Sequence, residues 1–129
     1  MRYCQYWVKD EEGSTTIESL FWIPFFIFLM AITVDISMIF NAHARILGII
    51  QDVDRSYSVG RIADDQSAED TVRNMLSQYG DSLSVTTSVN NGVIGTTVKV
   101  PMSKLVATGF LGNFLSAELT VQDFRFKEM

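Results

Sequence analysis

With 129 residues, 47% of them hydrophobic, and a formal net charge of −5, the chain is sized for one small domain and is acidic overall. Its Lys and Arg residues are thinly scattered and form no basic patch, which argues against nucleic acid as a partner. The single cysteine, Cys4, excludes an internal disulfide and leaves too few thiols for a zinc site.

Residues 1–12, MRYCQYWVKDEE, are too mixed to form an apolar core and read as most of a short polar leader, residues 1–13. Cys4 within it is an incidental reduced thiol or, as the minority reading, a juxtamembrane palmitoylation site. A secretory signal places its small residues after the apolar region, whereas Gly13 lies before one. Cleavage after Gly13 would therefore discard the leader and keep the hydrophobic helix.

From Ile17 to Phe40 only Glu18 and Asp35 carry formal charge. Roughly 20 apolar residues in a helix cross a bilayer core, so this stretch is predicted to be a transmembrane segment, residues 17–40. Arg2 and Lys9 precede it while Arg45, Arg55 and Arg61 follow it, so counting positive charges does not set its orientation. A cytoplasmic amino terminus follows only if the leader and the peptidase that removes it share that face.

An unpaired carboxylate well inside the bilayer costs about 2.5–3.5 kcal/mol on insertion scales, so Glu18 needs a partner or a shallow position. Cleavage after Gly13 makes Ser14 the first residue, and its α-ammonium then lies four residues from Glu18 on the same helical face. The two charges could pair within one chain or between neighbours. The alternative leaves Glu18 at headgroup level, where a negative charge suits the helix macrodipole. Pro24 removes a helical hydrogen bond and predicts a bend over residues 20–24. Asp35, with Thr33, Ser37 and Asn41 nearby, marks either the helix leaving the membrane or an assembly contact. Phe21, Trp22, Phe25, Phe26 and Phe28 form a lipid-facing or helix-packing surface.

Beyond Phe40, Ala42, Ile46, Ile49, Ile50 and Val53 recur at spacings of three and four, and Arg45, Gln51, Asp52, Asp54 and Arg55 take the other positions. This predicts one helix from Thr15 to Ser58, half in lipid and half packed on a domain, with Gly60 as its stop. His43 reads as an ordinary helix-surface residue. Residues 64–66 read as a polar linker. Ser67 and Asp70 then suggest a capping box for a second helix over residues 68–79, with an apolar stripe of Val72, Met75, Leu76 and Tyr79 and an end at Gly80. Asp64, Asp65, Glu69 and Asp70 read as a solvated face.

Residues 83–90 and 93–100 alternate around Asn91-Gly92 and predict a hairpin that Pro101 ends. Residues 104–115 suit a short helix or packed loop, weakened by Gly109 and Gly112, and residues 118–126 suit a third strand carrying Leu119, Val121, Phe124 and Phe126. The predicted class is α+β: a long N-terminal helix with a transmembrane half and an amphipathic half, one short helix, and a small antiparallel sheet of about three strands. The units are the leader, the long helix over 14–60, and a soluble domain over 61–129. No Ser, His and Asp arrangement, Gly-rich phosphate loop or metal spacing emerges. The expectation is a non-enzyme with no cofactor and no small-molecule substrate.

The order Gly13, Glu18, Pro24 inside a hydrophobic helix resembles the TadE-like pseudopilins of the tight-adherence (Tad) pilus, a branch of the type IV pilin superfamily. The likeness covers the first 60 residues, and VKVPMSKLVATGFLGNF with a closing strand through Arg125 to Glu128 is similar more loosely. Ser19 stands where the major Tad pilins have an aromatic residue after the glutamate, and the leader is acidic just before Gly13.

The resemblance implies a minor pilin or pseudopilin, single-pass in the bacterial inner membrane, with a cytoplasmic amino terminus and a periplasmic domain. A prepilin peptidase would cut between Gly13 and Ser14. Other pilins or pseudopilins and the Tad secretion platform would be the remaining partners, and Glu18 would align the subunit with a neighbour's amino terminus, leading to incorporation into a pilus. Minor pilin and assembly initiator both remain open. The competing reading is an uncleaved bitopic anchor carrying a small binding domain.

Overall fold

The computed structural model describes residues 12–114 and 116–127. In chain order the elements are α1 (Glu12–Ser58), α2 (Asp65–Met75), β1 (Ser84–Asn90), β2 (Val93–Pro101), α3 (Phe110–Phe114) and β3 (Glu118–Phe126). Short 3-10 turns at Ser77–Tyr79 and Met102–Lys104 complete the connections. The α+β class, the long helix, the short helix and the three-stranded antiparallel sheet are as the sequence predicts. Most of the leader, Cys4 included, lies outside the described residues.

The 47 residues of α1 extend about 70 Å at a rise of 1.5 Å per residue. Ala42, Ile46, Ile50, Val53 and Tyr57 are all buried, and their spacings of four, four, three and four define one stripe. Ile49 lies at the margin of that stripe, partly buried against the core. The helix stops at Gly60, whose φ of +76° few side chains adopt. There Arg61 N–H donates to the Ser56 carbonyl at 2.9 Å and Gly60 N–H to the Tyr57 carbonyl at 3.0 Å, which together form a Schellman cap.

The second helix begins three residues earlier than the capping-box reading placed it. Asp64 is the N-cap, in extended conformation, and its Oδ1 accepts from Ser67 N–H at 2.8 Å. Residues 64–66 are thus a cap and first turn, not a linker. Hydrogen bonds from the Ser67 side chain and amide hold the Asp64 carboxyl below the usual carboxylate range. The α-helical turns end at Met75, and residues 77–79 tighten into the 3-10 turn before Gly80. The buried stripe is Ala68, Val72 and Leu76, at strict four-residue spacing, while Met75 faces out.

The sheet has the order β1-β2-β3, all antiparallel. Asn91 and Gly92, at φ of 51° and 78°, make the type I′ turn that pairs Asn90 with Val93. Cross-strand rows on the inner face are Val85, Val98 and Val121, then Thr87, Thr96 and Asp123, then Val89, Ile94 and Arg125. This face closes over the buried stripes of α1 and α2 to form the core. Phe124 and Phe126 lie on the face opposite Val121 and are exposed, because Val121 and Phe124 are an odd number of residues apart.

The end of α1 is fastened to the start of α2 by a short hydrogen bond from Tyr57 Oη to Asp65 Oδ1. Lys127 Nζ stands 5.4 Å from the centroid of the Tyr57 ring. The hydrogen bond to Asp65, assisted by burial and by the charges of Asp65 and Asp64, pushes the Tyr57 hydroxyl up to about 12. The folded pKa exceeds the ordinary value of about 10, so this contribution to stability is present below pH 10 and is lost as pH rises through 12. Near-ultraviolet tyrosinate titration of the full chain should show one tyrosine ionising late, and Asp65→Asn should move that ionisation back toward pH 10. Superimposable curves for the two proteins would contradict the assignment.

Candidate functional site

The amino-terminal half of α1 is apolar on every face and makes little contact with the domain. Phe21 is 81% exposed, and Ile17, Leu20, Trp22, Ile23, Phe25, Phe26, Ile27, Leu29 and Met30 are exposed around it. A core helix would bury such residues, and a water-facing helix would not carry them. By length and composition this half is sufficient to cross a membrane. Three of its hydroxyls bond within the helix: Ser19 donates to the Thr15 carbonyl at 2.9 Å, Thr33 to the Leu29 carbonyl at 2.8 Å and Ser37 to the Thr33 carbonyl at 2.8 Å.

Gly13 and Ser14 occupy the first turn of α1, and the Ser14 side chain lies outside what is described. The helix is continuous from there through Glu18, so the four-residue spacing of Ser14 and Glu18 holds in three dimensions. The Glu18 side chain is exposed. Helix α1 also runs through Pro24 without interruption, and Pro24 lines a shallow apolar groove with Ile17, Leu20 and Phe21. Trp22 and Phe25 pack edge to face at 5.6 Å between ring centroids, with Phe26 beside them.

Asp35 corrects one of the two sequence readings, for it offers no free assembly contact. It is 0% exposed. Its Oδ1 accepts from Thr108 N–H at 2.8 Å, and its Oδ2 accepts from Thr108 Oγ1 at 2.7 Å and Leu111 N–H at 3.2 Å. One helical carboxylate thus gathers the segment leading into α3. Seven residues earlier on α1, Phe28 meets Phe110 edge to face at 4.8 Å. The sequence offered no signal for these partners, because Thr108 and Phe110 lie more than seventy residues from Asp35 in an uncharged run.

Asp54, assigned from the sequence to the outer face of α1, is also fully buried. Thr96 Oγ1 donates to its Oδ1 at 2.6 Å and shares a 3.1 Å contact with Thr87 Oγ1, while Oδ2 is without a partner among the described residues. Burial raises the Asp54 pKa, partly offset by the Thr96 hydrogen bond. Glu69 is likewise not a solvated acid, since its Oε1 accepts from Thr87 N–H at 2.7 Å on the edge strand. Of the four acids read as a solvated face, Asp64 caps α2, Asp65 binds Tyr57, Glu69 binds β1, and Asp70 is exposed.

His43 is half-buried on α1, and among the described residues no cluster of three or more His, Cys, Asp or Glu is arranged to hold a metal ion. Surface grooves lie at Asp52, Arg55, Ser56, Val59 and Arg61, and between Arg45 and Lys104. Set against known proteins, the chain matches no family model, no curated sequence and no solved structure.

Removing the Asp35 carboxylate leaves two backbone donors and a hydroxyl without their acceptor. In Asp35→Ala, amide exchange at Thr108 and Leu111 should accelerate roughly tenfold or more, with the amides of β2 unaffected. Unchanged exchange at those two amides would show that the carboxylate does not hold the segment.

Proposed function

We propose that the chain is a TadE-like minor pilin or pseudopilin of the bacterial inner membrane, released from its leader by a prepilin peptidase acting between Gly13 and Ser14. The observation that carries this reading is the division of α1: a bare apolar half opening on Gly13, Ser14 and Glu18, continuous with a half built into the domain core. An element of this kind can be held in lipid and later withdrawn as a unit, since the core closes on the distal half and the α3 segment, packed on Phe28 and bonded to Asp35, travels with the helix. In this reading the amino terminus is cytoplasmic, the domain is periplasmic, and the protein acts through protein contacts in Tad pilus assembly, without catalysis or cofactor.

The exposed Glu18, one helical turn from Ser14, supplies the assembly contact. Cleavage converts Ser14 into an ammonium-bearing terminus, and a carboxylate in a low-dielectric setting gains most from pairing with such a charge. Pro24 and the apolar groove beside it lie on the same half, open to neighbouring helices.

The competing reading, an uncleaved bitopic anchor with a binding domain, shares the bare helix but gives Gly13 and Glu18 no role. Intact mass and amino-terminal sequencing of protein extracted from membranes with an active prepilin peptidase separate the two. A mature chain beginning at Ser14 is expected, and retention of Met1 would overturn the pilin reading. In the same strain Glu18→Ala should still be cleaved but should lower piliation, and full piliation in that variant would remove the pairing role.

A further inference from the structure

The α3 segment sits at an unexpected depth along α1. Ten residues separate Glu18 from Phe28 and seventeen separate it from Asp35, which at 1.5 Å per residue is about 15 Å and about 26 Å of helix. A hydrocarbon core is about 30 Å thick. With Glu18 at or below the headgroups Phe28 falls inside it, and with Glu18 at the headgroups Asp35 does as well. Yet Phe28 touches Phe110, and Asp35 holds Thr108 and Leu111.

We propose that residues 106–114 are a second membrane-contacting element, whose Phe110–Leu111 tip enters the domain-side leaflet beside α1 and takes lipid acyl chains as its partner. The inference rests on the membrane reading of α1.

The composition of the segment fits lipid. Residues 105–117, LVATGFLGNFLSA, carry no formal charge and are bracketed by Lys104 and Glu118, which belong at headgroup level. Phe110 is 42% exposed despite its contact with Phe28. The backbone fits as well, since amides at membrane depth require partners within the protein. Leu105 N–H donates to the Met102 carbonyl at 2.9 Å, Phe110 N–H to Thr108 Oγ1 at 3.3 Å and Asn113 N–H to the Gly109 carbonyl at 3.1 Å. Thr108 and Leu111 N–H groups are taken by Asp35. An acid inside an apolar stretch, fully enclosed by donors, is the arrangement that makes a carboxylate tolerable at that depth.

Depth-dependent quenching tests the proposal on the full chain. In a Cys4→Ser background, single cysteines replace Phe26 on bare α1, Phe110 on the tip, and Gln122 on the outer face of the sheet. Ala107→Cys, exposed and close to Asp35, gives a second tip position that leaves the Phe28–Phe110 contact intact. Each is labelled with an environment-sensitive fluorophore and reconstituted in phosphatidylcholine and phosphatidylglycerol vesicles with or without brominated acyl chains. Labels at 26, 110 and 107 should be quenched several-fold more than the label at 122. Strong quenching at 26 with 110 and 107 no more quenched than 122 would overturn the inserted tip while leaving the α1 span in place. Absence of quenching at 26 as well would overturn both.

Discussion

A single helix with two unlike halves governs this structure. The distal half of α1 buries Ala42, Ile46, Ile50, Val53 and Tyr57 in the domain core, while its proximal half exposes apolar side chains in every direction. Helix α2 and the inner face of the sheet both pack around that one distal stripe. Because no loop separates the halves, the direction of the apolar half is fixed relative to the domain, and a displacement of one half is transmitted to the other along the helix. The Schellman cap at Gly60 and the Tyr57–Asp65 bond then turn the chain back so that α2 can reach the same core.

Two buried acids on α1 do different work. Asp35 has a donor for each carboxylate oxygen and serves as a pin for the α3 segment. Asp54 has one bonded oxygen and one without a partner among the described residues, in a row with Thr96 and Thr87 that breaks the apolar inner face of the sheet. The first satisfies its burial and the second pays for it in part, which is visible in the raised Asp54 pKa. A polar row at one level of an otherwise aliphatic sheet also fixes the register of the helix against it, since sliding by one turn would set Asp54 against Val98 or Ile94.

Features governed by local rules were legible in the sequence. The length of α1, its stop at Gly60, the Asn91-Gly92 hairpin and the bounds of β3 each follow from periodicity or from a residue with a special backbone preference. Features that depend on distant partners were not. Asp64 and Ser67 are both good caps, and only the fold selects Asp64. Asp54 looks in sequence like any exposed helical acid, and nothing there names the partner of Asp35, because Thr96 and Thr108 are far along the chain. In the candidate site, Gly13, Glu18 and Pro24 were read from spacing alone, whereas the α3 segment that approaches the same helix was invisible until the fold brought it there.

The account of function turns on α1 being one uninterrupted helix shared by lipid and core. Amide hydrogen exchange of the full chain in lipid nanodiscs measures this residue by residue. Protection should run without a gap from Ile17 to Ser58, apart from the first turn around Pro24, and should pass smoothly through Phe40, Asn41 and Ala42. A rapidly exchanging stretch at residues 38–44 would mean that the span and the domain helix are separate elements joined by a hinge, and it would contradict the account.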